Sequence, residues 1–105
     1  MYAIKEGTAN INNEKVKVFA RDVNHAGAEL VVRAGSTGFR GRVPREKSAR
    51  TYFALGLIRG DIKFDPVYDD ETGDLIGLEV AALGDSGLMA LIDSLAFALQ
   101  ALTDA

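Results

Sequence analysis

The chain has 105 residues, of which 48% are hydrophobic and 26% charged, with a formal net charge of −3. That balance belongs to one folded core of ordinary size rather than to a disordered chain. The absence of cysteine excludes disulfides, thiolate zinc sites and thiol catalysis. The acidic total argues against a surface that grips bulk nucleic acid.

The opening residues, Met1 to Gly7, lack the charged-then-apolar layout of a secretory signal. No run of about 18 apolar residues stands out as a membrane span. The expectation is therefore a cytoplasmic protein with no membrane partner, folded as a single domain over residues 1–105. The pattern from Lys15 to Ala20 alternates polar and apolar and predicts a strand. Asn24-His25-Ala26-Gly27 supplies a turn, and Glu29 to Arg33 a second strand. Pro44 denies a helix to the loop that follows. Arg50 to Ile58 is rich in β-favouring residues and reads as a central strand. Ile62 to Asp65 alternates again and is expected to stop at Pro66. Asp69-Asp70-Glu71-Thr72-Gly73-Asp74 reads as a polar hairpin turn, and Leu75 to Leu83 as the last strand.

The period becomes helical from Ser86 to Thr103, with Asp85 or Ser86 available as a cap. Leu88, Leu91, Ile92, Leu95, Leu99 and Leu102 form one stripe, expected to face the sheet. The other side carries Met89, Ala90, Ala96, Phe97, Ala98 and Ala101 and is apolar as well. A second copy is expected to cover it, giving a homo-oligomer through the C-terminal helix with Met89 and Phe97 as anchors. The predicted fold class is α+β: a mainly antiparallel sheet of five or six strands with one long C-terminal helix packed on it.

Charge is not evenly spread. Residues 33–50 hold six of the twelve Lys+Arg (Arg33, Arg40, Arg42, Arg45, Lys47, Arg50) and one of the fifteen acids, Glu46. That segment carries +5 and the rest of the chain −8. Gly35, Ser36, Thr37, Gly38, Phe39 and Gly41 lie among the cations, so a glycine-rich cationic loop sits on an anionic body. The candidate ligand-binding residues are Ser36, Thr37, Gly38, Phe39, Arg40, Arg42, Arg45, Lys47, Arg50 and Thr51. Arginine forks would hold phosphate oxygens, and backbone N–H groups near Ser36, Thr37 and Gly38 would add fixed dipoles. The competing reading is a solvated hairpin whose cations pair with acids of neighbouring copies. Phe39, Tyr52 and Phe53 offer faces for stacking a base, although two of the three are expected in the core. Tyr52 and Phe53 must point to opposite faces of the sheet.

Other chemistry finds little support. His25 is the one imidazole and is read as an exposed turn residue. The acidic run at 69–74 lacks the spacing of an EF-hand calcium loop. No serine or threonine has a histidine beside it in sequence. No catalytic residue, metal or cofactor is expected.

Ala34-Gly35-Ser36-Thr37-Gly38-Phe39, followed by a loop and Arg50-Thr51-Tyr52-Phe53, resembles a pairing found in short proteins of phages and mobile elements of Gram-positive bacteria. Gly84-Asp85 and Asp93 to Leu99 resemble the closing helix of those proteins. Proteins of this build are similar to Thoeris anti-defence sponges, which capture cyclic ADP-ribose signals. The resemblance implies an oligomer that sequesters a phosphate-bearing nucleotide without altering it, with Arg50 and Thr51 the best-matching part. The chain departs from the pattern at Arg40 to Ala49, where those proteins have a glycine-rich stretch. The expected function is nucleotide sequestration through the basic loop. The alternatives are a protein–protein inhibitor that uses its acidic turns and a plain oligomeric structural protein.

Overall fold

A computed structural model describes residues 4–38 and 49–105. Six strands and one helix follow in order: β1 (Lys5–Ile11), β2 (Glu14–His25), β3 (Ala28–Ser36), β4 (Thr51–Arg59), β5 (Ile62–Tyr68), β6 (Leu75–Ala82) and α1 (Gly84–Thr103). This is the expected α+β class, with every strand pairing antiparallel, but the strands divide into two sheets. β1-β2-β3-β4 is a four-stranded meander, and β5-β6 is a separate two-stranded ribbon.

Tight turns build the meander. Asn12 and Asn13, both at positive φ, join β1 to β2, and Ala26 and Gly27, also at positive φ, join β2 to β3. Two successive positive-φ residues match the right-handed twist of the flanking strands. Asparagine tolerates that conformation readily, whereas Ala26 adopts it against its Cβ. β1 has no counterpart among the expected strands, because its apolar positions are too few to set a period. β2 also runs five residues past the expected end, through the Asn24 that reads as a turn residue.

Along β2 the odd positions from Lys17 to His25 share one face. Their register partners on β3 run from Ala34 opposite Phe19 to Ala28 opposite His25. On β3 that face carries Ala28, Leu30, Val32 and Ala34, all buried, and α1 packs there against β3 and β2. Val16 and Val18 are fully buried outside this cluster. Where β3 leaves the ladder, Gly35 lies so close to β2 that an added Cβ would sit 2.0 Å from the Lys17 carbonyl oxygen. Only glycine permits that approach.

The helix is turned about its axis from the face its periodicity predicts, so that only Leu91 and Leu102 of the expected stripe reach the core. Gly87, Ala90, Ser94 and Ala98 are buried against the sheet, with Leu91, Phe97, Ala101 and Leu102 flanking them. Leu88, Ile92, Leu95 and Leu99 are exposed. β3 already supplies bulk through Leu30 and Val32, and β5 through Ile62, so close packing calls for small side chains on the helix. At Gly87 an added Cβ would stand 3.0 Å from the Ala82 side chain. Phe97, expected on an outer face, therefore packs into the chain's own core, while Met89 is 43% exposed.

No side chain caps α1. The N-cap is Leu83, and Asp85 sits inside the first turn, where its charge complements the helix dipole. By length and composition alone, the helix is apolar enough to cross a membrane, contrary to the sequence expectation that no such run exists. Its small-residue face is nevertheless committed to the sheet.

Pro66 does not stop β5. It lies within the strand opposite Leu78, and a two-stranded ribbon tolerates it because an edge position needs no donor.

Candidate functional site

The cationic loop was the site expected from sequence. Phe39, Arg40, Arg42, Arg45 and Lys47 lie outside the described residues; Ser36, Thr37, Gly38, Arg50 and Thr51 form its neck. Thr37 N–H donates to the Arg50 carbonyl at 3.0 Å, and Arg50 N–H donates to Thr37 Oγ1 at 2.9 Å. The hydroxyls of Ser36 and Thr51 bond each other at 3.0 Å, and Gly38 N–H donates to Ser36 Oγ at 3.0 Å. The N–H groups of Thr37 and Gly38, expected to face an anion, are thus engaged in closing the neck. This corrects their role: they hold the ends of β3 and β4 together at the root of the basic segment.

Tyr52 and Phe53 do point to opposite faces, but neither is core in the expected sense. The Arg33 guanidinium carbon lies 5.3 Å from the Tyr52 ring centroid, and Arg33 Nη1 donates to the Tyr52 hydroxyl at 3.3 Å. This cation–π contact occupies one face of the tyrosine. Phe53 is 48% exposed.

Among the described residues, a groove of about 1090 Å³ lies between β2 and the C-terminal half of α1. From β2 it is lined by Lys17, Phe19, Arg21, Asp22, Val23, Asn24 and His25, and from α1 by Asp93, Ala96, Phe97, Gln100 and Ala101. Ser36, Asp104 and Ala105 also line it. The strand alternation that buries Val23 beneath the helix places Arg21 and His25 on the same face. Ser36 therefore connects the groove with the root of the basic segment.

One side of the groove is fixed by His25 Nε2 and Asp93 Oδ2, 2.5 Å apart and both part-exposed. The pair ties the end of β2 to the middle of α1, so His25 is a paired strand residue rather than a free turn residue. Lys17 reaches Glu6 on β1 at 3.6 Å, with both side chains exposed, a pair that water screens and an anion could displace. The groove therefore combines apolar walls with two cations, Lys17 and Arg21, and three acids, Asp22, Asp93 and Asp104.

Sequence reading did not assemble this groove. The alternation legible in sequence ends at Ala20, and the partner of His25, Asp93, lies 68 residues on, beyond any local spacing. Continuing the odd-position alternation through Arg21, Val23 and His25 is the signal that would have found its floor.

Outside the groove, Glu29 is buried and receives Arg59 Nη2 at 3.0 Å. In the turn 69–74, Asp69 Oδ1 accepts from Glu71 N–H at 2.7 Å and Thr72 N–H at 3.1 Å. The backbone bonds from Thr72 and then Glu71 hold the Asp69 carboxyl below its ordinary range. This is a self-satisfied turn, and among the described residues no cluster of acids, histidines or cysteines has metal-binding geometry. Comparison with protein-family models, curated proteins and solved structures finds no match to this chain.

Proposed function

We propose that the chain is a non-catalytic binding protein that sequesters a small phosphate-bearing nucleotide, with the groove between β2 and α1 as the receptacle. The groove carries this reading. Its volume stands at the upper end of small-molecule sites and would admit a nucleotide. Phe19, Ala96, Phe97 and Ala101 provide apolar surface for a base, and Arg21 and Lys17 provide donors for phosphate oxygens. Ser36, which lines the groove, stands just before the basic segment in sequence. Capture without turnover asks only for complementarity of shape and charge.

Thermal melting against a panel of cyclic mononucleotides, cyclic dinucleotides and ADP-ribose derivatives tests this reading. A ligand at a hundredfold excess over its Kd stabilises the fold by about 2.7 kcal/mol. Arg21→Ala and Arg42→Ala should each reduce the shift, whereas Lys63→Ala, on the exposed ribbon, should leave it unchanged. Mass spectrometry should recover the ligand intact. A panel without any shift, or a shift unchanged in both arginine variants, overturns the proposal.

One observation favours a second reading, docking on a basic partner protein: Asp70, Glu71 and Asp74 are exposed at the tip of the β5-β6 ribbon. That reading expects charge reversal at the tip, and not at Arg21, to abolish activity.

A further inference from the structure

We propose that the exposed leucine stripe of α1 and the β5-β6 ribbon are two halves of a self-interface, the ribbon of one copy lying over the stripe of a second. Leu88, Ile92, Leu95 and Leu99 follow one another at steps of four, three and four, the spacing of a straight apolar seam. All four are exposed, Leu99 by 64%.

The ribbon is amphipathic by register. Ile62, Phe64 and Pro66 stand opposite Ala82, Val80 and Leu78, while Lys63, Asp65 and Glu79 occupy the reverse face. Its base is sealed, since Ile62 is buried and Phe64 packs against the core. Further out the same apolar face is bare: Leu78 is 66% exposed and Ile76 63%. A two-stranded ribbon with an uncovered apolar face is marginal in water and needs a third layer.

Several observations identify a second copy as that layer. The stripe from Leu88 to Leu99 rises about 17 Å along the helix axis. The bare part of that face on β6, from Ile76 to Val80, spans about 13 Å as a strand. The two surfaces are alike in chemistry and comparable in length, and both belong to one chain, so a twofold axis would cover both at once. Including the exposed Tyr68, Leu75, Leu83, Phe53 and Leu57, the exposed apolar side chains of the chain together offer on the order of 1,000 Å², comparable with the share each partner contributes to a stable interface.

A bilayer fits less well. Residues 84–105 contain three aspartates and no lysine or arginine, whereas helices that lie on membranes are rich in basic residues. Spanning a membrane would also strip Ala90 and Ala98 from the sheet.

Sedimentation velocity at micromolar concentration should find a dimer. Leu95→Asp and Leu78→Asp should each weaken association by on the order of 100-fold, since each would bury an unpaired carboxylate in an apolar seam. Because either variant could lose its fold, a second measurement fixes the geometry. The chain has no cysteine, so Leu78→Cys and Ile92→Cys chains can be mixed and oxidised, and a mixed disulfide between them is expected. A monomeric parent chain, a dimer that persists in both folded aspartate variants, or disulfides joining only like chains overturns the proposal. So does a monomer that co-sediments with phosphatidylcholine–phosphatidylglycerol vesicles, which would assign the surface to a membrane instead.

Discussion

Ser94 lies at the centre of the face that α1 lays on the sheet. Its side chain is fully buried, and its Oγ meets no hydrogen-bond partner among the described residues. A desolvated hydroxyl without a partner is a net cost, so Ser94→Ala should raise stability by about 1 kcal/mol in chemical denaturation; a loss of that size would show that the hydroxyl is used. Asp69 provides a pH test with a definite sign. Its carboxyl is held below the ordinary value of 3.8 by the Thr72 and Glu71 N–H groups. The turn is therefore fully supported above 3.8 and loses that support as pH falls through the lower native value. The amide resonances of Thr72 and Glu71 should titrate together in that acidic window, and Asp69→Asn should abolish the transition. His25 and Asp93 show what residue types alone conceal, because their pairing exists only once β2 and α1 are in contact.

For the elements, α1 carries the clearest lesson. Its sequence has two apolar sides, and periodicity favours the larger residues as the inner one. Packing turns the helix away from this, because a surface already filled by Leu30 and Val32 of β3 and Ile62 of β5 accepts Gly87, Ala90, Ser94 and Ala98, with Leu91 and Leu102 at its edges. Phe97 and Met89, equivalent when read from sequence, should consequently behave differently. Phe97→Ala removes a side chain packed on the core and should cost about 2–3 kcal/mol, whereas Met89→Ala should cost less than about 1 kcal/mol. Urea unfolding of both variants measures the difference, and equal costs would contradict this orientation of the helix. Most strands were evident from alternation and turn chemistry. β1 was not, since it is largely exposed and is held by pairing with β2 rather than by apolar side chains of its own, and the length of β2 was hidden by an asparagine and a histidine that usually mark turns.

At the level of the whole molecule, stability should be graded from the meander outward. β3 lies between two strands beneath the helix, while β6 has one neighbour and exposed side chains throughout. Hydrogen exchange should find the slowest amides on β3 and much faster ones on the outer half of β6, with protection of β6 rising as protein concentration increases and dimers form. Concentration-independent exchange on β6 would separate the ribbon from any self-association. The groove depends on the same assembly, since its floor comes from β2, its roof from α1 and its end from Ser36, and no single element contains it.

Sequence alone determined the α+β class, the antiparallel order, the helix and its approximate limits, and the concentration of positive charge in 33–50, because these depend on local period, turn chemistry and composition. Tertiary structure decided which side of the helix is buried, the separation of the ribbon from the main sheet, the use of the Ser36–Gly38 groups to close a neck, and the groove shared by Arg21, His25 and Asp93. Those outcomes depend on the volumes and hydrogen-bond partners that distant segments bring to one another, and neither is written in the spacing of neighbouring residues.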